Sequence, residues 1–133
     1  MDNYINRVIH GDCLEILRDM PDKCVDLVLT DPPYGINWKP RVNHQDQSWI
    51  DNVSFDPAPF LSIGNEHLFW GANYFANLLP VSADWLSWIK RPLGFNFNND
   101  KRTYSTVELA WSDMGCGTRH FNHVWDGGMR AGA

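Results

Sequence analysis

The sequence of 133 residues predicts an α/β fold, a three-layer sandwich that is incomplete at one side. The first observation behind this prediction is the alternation of short apolar runs with short amphipathic segments. The second is an early strand–helix–strand pattern within about 30 residues, which is typical of a right-handed crossover between parallel strands. The length suits one hydrophobic core, so residues 1–133 are expected to belong to a single domain.

The predicted crossover starts with a short strand over residues 4–10, followed by a helix and a second strand. Asp12 is the predicted N-cap of the helix, and Glu15 completes a capping-box pattern three residues later. The helix ends before Pro21, which cannot continue it. The run Val25–Thr30 then has the apolar and β-branched composition of a buried strand.

The segment Asp31-Pro32-Pro33-Tyr34 directly follows that strand. Its prolines cannot donate to a β-ladder and hold the backbone extended, so a carboxylate, two carbonyl groups and an aromatic ring are presented together. Ligands of open α/β sheets bind at the carboxyl ends of strands, and these groups suit a nucleobase. The same topology places Asp12 after the first strand, facing the same crevice. A proline turn, with Asp31 as a local cap and Tyr34 in the core, explains the bare motif equally well.

The rest of the chain continues the alternation in shorter elements. Their predicted bounds are a helix over 57–63 with Gly64 beyond its end, a strand over 66–70, a helix capped by Asn73 and running through Leu78, and strands over 84–90, 105–111 and 121–125. The polar stretch 35–55 has little periodicity, which predicts either a loop that closes over substrate or a surface excursion without function. Residues 94–102 are a predicted loop, and a tail is expected from Gly127 onward.

The charge and the aromatic content limit the classes of partner. A net charge of −5 argues against a non-specific nucleic-acid binder held by phosphate contacts. Three pairs of basic residues can still form a local positively charged rim for nucleic acid, or they can be ordinary solvated surface charges. The pairs are Lys39 with Arg41, Lys90 with Arg91, and Lys101 with Arg102. The 7 Trp, 7 Phe and 4 Tyr can serve a core or a base-stacking site.

Cysteine and histidine usage predicts no metal site. The three cysteines are widely spaced without a C-x-x-C pair, so neither a zinc site nor a disulfide framework is expected. His120 and His123 alone are a weak metal signal. The polar N-terminus and the lack of an apolar run of about 20 residues predict neither a signal peptide nor a membrane span, so a reduced, cytoplasmic setting is expected.

The stretches Asn6–Cys13, Leu14–Leu17 and Val25–Tyr34 together resemble the amino-directed DNA methyltransferases. These enzymes modify the exocyclic amine of adenine or cytosine using S-adenosylmethionine. The chain is similar in particular to the permuted group, in which D-P-P-Y lies near the N-terminus and a Gly-rich cofactor motif near the C-terminus. Looser similarity continues through 69–74, 88–90 and 108–111. The resemblance implies a Rossmann-like methyltransferase fold and double-stranded DNA as the substrate.

The resemblance also implies roles for individual residues. In the catalytic motif, Asp31 and the Pro32 carbonyl would accept the two amine hydrogens of a flipped-out adenine, Pro33 would complete the motif, and Tyr34 would stack on the base. Asp12 and Cys13 would contact the adenine ring of S-adenosylmethionine, with Asp31 beside them. The residues alone also allow Asp12 to be only a helix cap, and Cys13 only a small buried residue. Lys90 and Glu108 match weaker positions beside the base pocket.

The chain departs from this family on the cofactor side. It contains neither an Asp-Pro-Phe-x-Gly-x-Gly-type segment nor the His-Pro-x-x-Lys-Pro-type segment that precedes it. Gly115-Cys116-Gly117-Thr118 follows a polar stretch and does not open a helix, and Gly127-Gly128 is followed by only five residues. We therefore expect a C-terminally truncated, N-terminal part of a methyltransferase domain, whose exposed apolar surface favours a homodimer.

Three alternatives remain open at this point. The chain can be a non-catalytic remnant that folds without binding cofactor. It can be an N4-cytosine DNA methyltransferase, although Asp at the first motif position favours adenine within the family. It can also be a methyltransferase of a protein amide or of RNA, although such relatives often carry Asn where this chain has Asp31.

Overall fold

The computed structural model of the chain describes residues 4–37, 53–90 and 105–124. These residues form two short α-helices, two single 3-10 turns and a mixed sheet of five strands. The helices are α1 (Cys13–Arg18) and α2 (Ala58–Ile63), and the 3-10 turns are Ala72–Tyr74 and Ala76–Leu78. The strands are β1 (Val25–Thr30), β2 (Gly64–Trp70), β3 (Asp84–Ile89), β4 (Val107–Ser112) and β5 (Arg119–Asn122).

The strand order β1-β2-β4-β3-β5 brings several chain segments to one end of the sheet. β1 is parallel to β2, β3 is parallel to β5, and β4 is antiparallel to both β2 and β3. β1, β2, β3 and β5 therefore all finish at the same end, here called the carboxyl edge, where β4 begins. The residues that follow β1, β2 and β3 meet the first residues of β4 at this edge.

One face of the sheet carries the hydrophobic core. Phe69 of β2 lies opposite Trp111 of β4, the two rings stack with centroids 5.8 Å apart, and both are almost fully buried. Phe75, from the segment after β2, and Phe60 of α2 pack against them. Burying an aromatic ring of this kind contributes roughly 1.5–3 kcal/mol, so this cluster holds the sheet and α2 together.

The opposite face carries a second aromatic cluster and exposed leucines. Trp88 of β3 pairs in register with Phe121 of β5, and their rings stack with centroids 6.1 Å apart. Trp70 of β2 meets both rings edge-on. Leu27 and Leu29 of β1 point to this face and are 45% and 62% exposed. In the described residues α2 packs on the core face and α1 packs on α2, so they supply one outer layer of the predicted sandwich.

Most of the predicted elements are confirmed. α1 follows its predicted cap, and α2 ends before Gly64. β1 has the predicted bounds, but the prediction that it is a buried strand is wrong, because it lies at the edge of the described sheet and contains no buried residue. β2, β3 and β4 lie within two residues of the predicted bounds, and β5 begins two residues earlier than the predicted last strand. The predictions for residues 94–102, for the tail from Gly127 and for most of the stretch 35–55 concern residues outside those described.

The predicted first strand over residues 4–10 is wrong. These residues form a turn followed by a segment without ladder pairing, and Val8 and Ile9 are 102% and 43% exposed. A strand exists only where a neighbour completes its hydrogen bonds, and the described neighbour of β1 is β2 alone. The parallel pair with a helix in its connection is therefore β1–α2–β2, and the predicted crossover from residues 4–10 into β1 is wrong.

The helix predicted after Asn73 is also wrong. Two 3-10 turns replace it, and Asn73 lies inside the first turn instead of capping a helix. Gly71 precedes this turn with a left-handed φ of 67°, and Phe75 interrupts the helical backbone between the two turns. Burial of Phe75 against Phe69 and Trp111 favours this break, because a continuous helix would place its ring elsewhere.

Candidate functional site

The D-P-P-Y segment leaves β1 at the carboxyl edge with its two ends in different environments. Asp31 and Pro33 are exposed, whereas Pro32 is buried and Tyr34 is half-buried. The buried Pro32 fixes the segment against the sheet, so the Asp31 carboxylate is presented to solvent on a rigid backbone. The alternative interpretation as a proline turn placed Tyr34 in the core. Tyr34 does pack against the core cluster, but it is only half-buried, so this alternative is met only in part.

Tyr34 folds back over the segment and contacts both neighbouring elements. Its hydroxyl donates a hydrogen bond to Oδ1 of Asp31. Its ring stacks on Tyr74, with centroids 4.9 Å apart and an angle of 17° between the planes. The ring also lies against Gly71 so closely that a Cβ atom at that position would overlap it. Gly71 therefore serves two purposes, the left-handed turn after β2 and the space for the Tyr34 ring.

The ionisation of Tyr34 is suppressed by its surroundings. Burial raises the pKa of Tyr34 above its ordinary value, and the hydrogen bond to Asp31 raises it further. The negative charges of Asp31 and Glu108 act in the same direction. Tyr34 is consequently a neutral hydrogen-bond donor across the physiological pH range.

A second carboxylate reaches the same edge from β4. Glu108, one residue into β4, accepts a hydrogen bond from the Lys90 ammonium group directly after β3. The Lys90 side chain is only 7% exposed, and its Nζ lies 5.1 Å from the centroid of the Trp88 ring. Lys90 thus belongs to the interior of this edge and not to a solvated basic rim; the other members of the basic pairs lie outside the described residues.

Asp12 is confirmed as the N-cap of α1. Its Oδ1 accepts a hydrogen bond from the Leu14 backbone N–H at 2.8 Å. Because no strand precedes it, however, the argument that placed Asp12 and Asp31 at the ends of two neighbouring strands is wrong. Cys13 is exposed, so the interpretation of Cys13 as a small buried residue is wrong as well. The cofactor contacts of Asp12 and Cys13 remain predictions.

The glycine-rich segment after β4 holds a carboxylate of the chain itself. The backbone N–H groups of Gly115, Cys116 and Gly117 all donate to the carboxylate of Asp84, which is 6% exposed. Both glycines have a φ of 71°, a conformation that turns successive N–H groups toward one anion. As predicted, this segment is not a strand-to-helix cofactor loop, and its glycines serve to bind Asp84.

Two groups near this site and in the core were missed by the sequence analysis. Tyr74 lies in the loosely similar stretch 69–74, and nothing in the local pattern indicates that it stacks on Tyr34. His67 is almost fully buried in β2, and its Nδ1 lies 2.7 Å from Oδ2 of Asp113. Its Nε2 has no hydrogen-bond partner among the described residues. The alternation of β2 predicts that position 67 faces the core, but not that a distant carboxylate meets it.

Two further observations concern metals and membranes. Within residues 4–37, 53–90 and 105–124, the structure brings no three His, Cys, Asp or Glu side chains together in a way that can hold a metal ion. The helices in the same part of the chain are too short and insufficiently apolar to cross a membrane.

An acidic group and an aromatic ring on a rigid segment at the carboxyl edge of a mixed sheet are compatible with a Rossmann-like methyltransferase, and the comparisons point to the same class. The chain is 50% identical over 34 residues to the Type II methyltransferase M.BglII of Bacillus subtilis, which covers 26% of the chain and 9% of that protein. It is 31% identical over 55 residues to the Type II methyltransferase M.HinfI of Haemophilus influenzae, covering 39% of the chain and 15% of that protein.

These matches support a methyltransferase relationship for part of the chain. They span only a small share of each relative's own length. No protein-family model matches the chain. No solved structure matches it either.

Proposed function

We propose that this chain carries the catalytic segment of a DNA methyltransferase that transfers a methyl group from S-adenosylmethionine to the exocyclic amine of adenine. The observation that carries the proposal is the exposed Asp31 carboxylate, held beside the Tyr34 ring at the carboxyl edge. The partial similarity to Type II methyltransferases supports it. In this proposal residues 1–133 are the catalytic-motif part of a single methyltransferase domain.

The chemistry of the amine explains why these groups are needed. The lone pair of an exocyclic amine is delocalised into the ring, so the nitrogen is a poor nucleophile. Two hydrogen-bond acceptors on its hydrogens favour a pyramidal nitrogen. The lone pair of that nitrogen is no longer delocalised into the ring and points at the incoming methyl group. In the proposal the Asp31 carboxylate is one acceptor and the Pro32 carbonyl the other. Their rigid placement lowers the barrier mainly by orientation.

The target base has to leave the duplex to reach Asp31. Extruding a base from double-stranded DNA costs a few kcal/mol of lost stacking and pairing. Stacking on an aromatic side chain returns about 1–3 kcal/mol per base, and Tyr34 is the proposed platform.

The described residues provide part of a binding site for the cofactor. Asp12 caps α1 with one carboxylate oxygen, which leaves its second oxygen to accept from ligand hydroxyl or amino groups. Cys13 and Asp31 are exposed and can contact a ligand. The N–H groups of Gly115, Cys116 and Gly117 are taken by Asp84, so they do not hold the cofactor. When bound, S-adenosylmethionine supplies an electrophilic methyl group.

Cofactor binding gives the most direct test. Isothermal titration calorimetry with S-adenosylmethionine is expected to show binding by the 133-residue chain, weakened in Asp12→Ala and little changed in Asp31→Ala. Asp19→Ala is a matched control, because Asp19 is an exposed aspartate at the other end of α1. Absence of binding at millimolar cofactor would contradict the proposal for this chain.

The second candidate is a non-catalytic methyltransferase remnant. It is favoured by one observation: the backbone N–H groups of the described Gly-rich turn donate to Asp84, so this turn offers no donors to a cofactor. In that case neither cofactor nor nucleobase binds, and the D-P-P-Y segment only anchors β1. The homodimer and the cytosine alternative are tested by no observation on this chain and stay predictions.

A further inference from the structure

The groups that the proposed function assigns to the target base are already engaged inside the chain. Oδ1 of Asp31 accepts a hydrogen bond from the Tyr34 hydroxyl. One face of the Tyr34 ring is covered by Tyr74, at 4.9 Å between centroids and 17° between planes. One carboxylate oxygen of Asp31 and one face of the Tyr34 ring, both of which a base would use, therefore already have an internal partner.

The geometry leaves little choice about how a base reaches Tyr34. A planar base cannot enter between Tyr34 and Tyr74, because stacked rings at this distance are in van der Waals contact. Nor can it approach past Gly71, where even a Cβ atom would overlap the Tyr34 ring. A base stacks on Tyr34 only when Tyr74 has moved away.

Tyr74 is placed where such a movement is easy. It ends the 3-10 turn Ala72–Tyr74 and is 50% exposed, whereas Phe75, the next residue, is 3% exposed and anchored in the core. A rotation of the Tyr74 side chain therefore breaks its contact with Tyr34 and leaves the Phe75 anchor in place. Tyr34, in contrast, is held by Gly71, the core cluster and Asp31.

We propose that Tyr74 is a gating residue, which covers the Tyr34 ring in the free chain and is displaced by the incoming base. The inference rests on the proposed function and deepens it. The ligand it implies is a flat purine with an exocyclic amine, whose N–H takes the place of the Tyr34 hydroxyl on Asp31. The closed arrangement keeps Tyr34 covered until a base competes for it.

Removal of the competing ring tests this gate. The probe is a fluorescein-labelled single strand of about ten deoxyadenosines, compared by anisotropy with an abasic strand of equal length to separate base from backbone binding. Tyr74→Ala is expected to bind the deoxyadenosine strand about two- to tenfold more tightly than the unmodified chain, because an aromatic pair no longer has to be broken. Tyr74→Phe keeps the ring and is expected to match the unmodified chain.

The control and the contrary outcomes keep the two proposals apart. Leu78→Ala removes a side chain of equal exposure from the next 3-10 turn and is expected to leave affinity unchanged. Asp31→Ala is expected to reduce the preference for the deoxyadenosine strand over the abasic strand, because a hydrogen-bond acceptor is lost while stacking on Tyr34 remains. If that preference depends on Asp31 but Tyr74→Ala binds equally or more weakly, the gate is wrong and the proposed function stands. If no variant prefers the deoxyadenosine strand, or if Asp31→Ala leaves that preference unchanged, the proposed function fails and the gate fails with it.

Discussion

Asp31 and Asp84 are both aspartates next to a strand, yet the structure treats them in opposite ways. Asp84 begins β3 and is 6% exposed, and three successive backbone N–H groups donate to its carboxylate. Asp31 follows β1 at the carboxyl edge, is exposed, and accepts from one side-chain hydroxyl, that of Tyr34.

The difference separates a structural carboxylate from one available to a ligand. The donors to Asp84 are backbone groups that cannot leave without unfolding the turn between β4 and β5. The donor to Asp31 is a side chain that can rotate, so a ligand can replace it. A buried carboxylate saturated by backbone donors stabilises the fold, whereas an exposed one with an exchangeable donor can do chemistry.

The largest expected effect concerns the proposed role of Asp31 as a hydrogen-bond acceptor for the target amine. Asp31→Ala should lower the rate of methyl transfer to double-stranded DNA by about 10²–10³-fold, because one positioned hydrogen-bonding group is lost at the reacting nitrogen. The free energy of unfolding should change by less than about 0.5 kcal/mol, since the side chain is exposed. Transfer of a radiolabelled methyl group measures the rate, and urea denaturation the stability. A variant as active as the unmodified chain would show that Asp31 is not the acceptor.

The converse change is expected at Asp84. Asp84→Ala should reduce the free energy of unfolding by about 2–4 kcal/mol, because three N–H groups lose a charged acceptor in a part-buried turn. Urea denaturation followed by circular dichroism checks this. Asp26→Ala, which removes an exposed aspartate from β1, is the control and should shift the midpoint little. Equal urea midpoints for Asp84→Ala and Asp26→Ala would show that the Asp84 carboxylate does not stabilise the turn.

Two glycines sharpen the comparison further, because their backbones match and their surroundings do not. Gly71 and Gly115 have φ values of 67° and 71°, but a Cβ on Gly71 would overlap Tyr34 whereas one on Gly115 would meet nothing within 4 Å. Gly115→Ala should cost about 1–2 kcal/mol for the left-handed backbone alone. Gly71→Ala should cost about 1–3 kcal/mol more for the forced repacking of Tyr34.

Thermal and urea unfolding of the two alanine variants give the difference between these costs. Changes in the nuclear magnetic resonance chemical shifts of Tyr34 and Tyr74 should accompany Gly71→Ala and not Gly115→Ala. If the two substitutions destabilise the chain equally, the Tyr34 ring does not pack against Gly71 as described.

The smallest expected effect is on alkaline titration. The pKa of Tyr34 in the folded chain is raised, so above about pH 10 the unfolded chain loses this proton while the folded chain retains it. The stability that depends on protonated Tyr34 is therefore fully present below that pH and decreases as the pH rises further. Ultraviolet difference spectra should show a late ionisation phase from Tyr34, and Tyr34→Phe should remove that phase. Tyr74→Phe is the control and should retain it.

Much of the framework follows from local sequence patterns. The cap at Asp12, the bounds of β1 and the stop at Gly64 each depend on side chains within a few residues, and the structure confirms all three. The burial expected for β1 depends on neighbours on both sides, and it is not observed. The place of Asp31 and Tyr34 is equally local, because a rigid segment directly after a strand has to emerge where that strand ends. The strand expected over residues 4–10 failed for the opposite reason, since a pattern cannot supply the missing neighbour.

The sequence by itself therefore determined the existence and approximate bounds of β1 to β5, α1 and α2, and the position of the D-P-P-Y segment at a strand end. Only the tertiary structure decided what surrounds that segment: Tyr74 on Tyr34, Glu108 on Lys90, and Asp84 in the turn of Gly115–Gly117. These partners are far apart along the chain. The parallel pairing of β1 with β2 brings Tyr74 to Tyr34, and the antiparallel pairing of β3 with β4 brings the other two sets together. Periodicity records which face of an element is apolar, but the order of strands depends on the packing energy of the whole sheet, and no short segment encodes it.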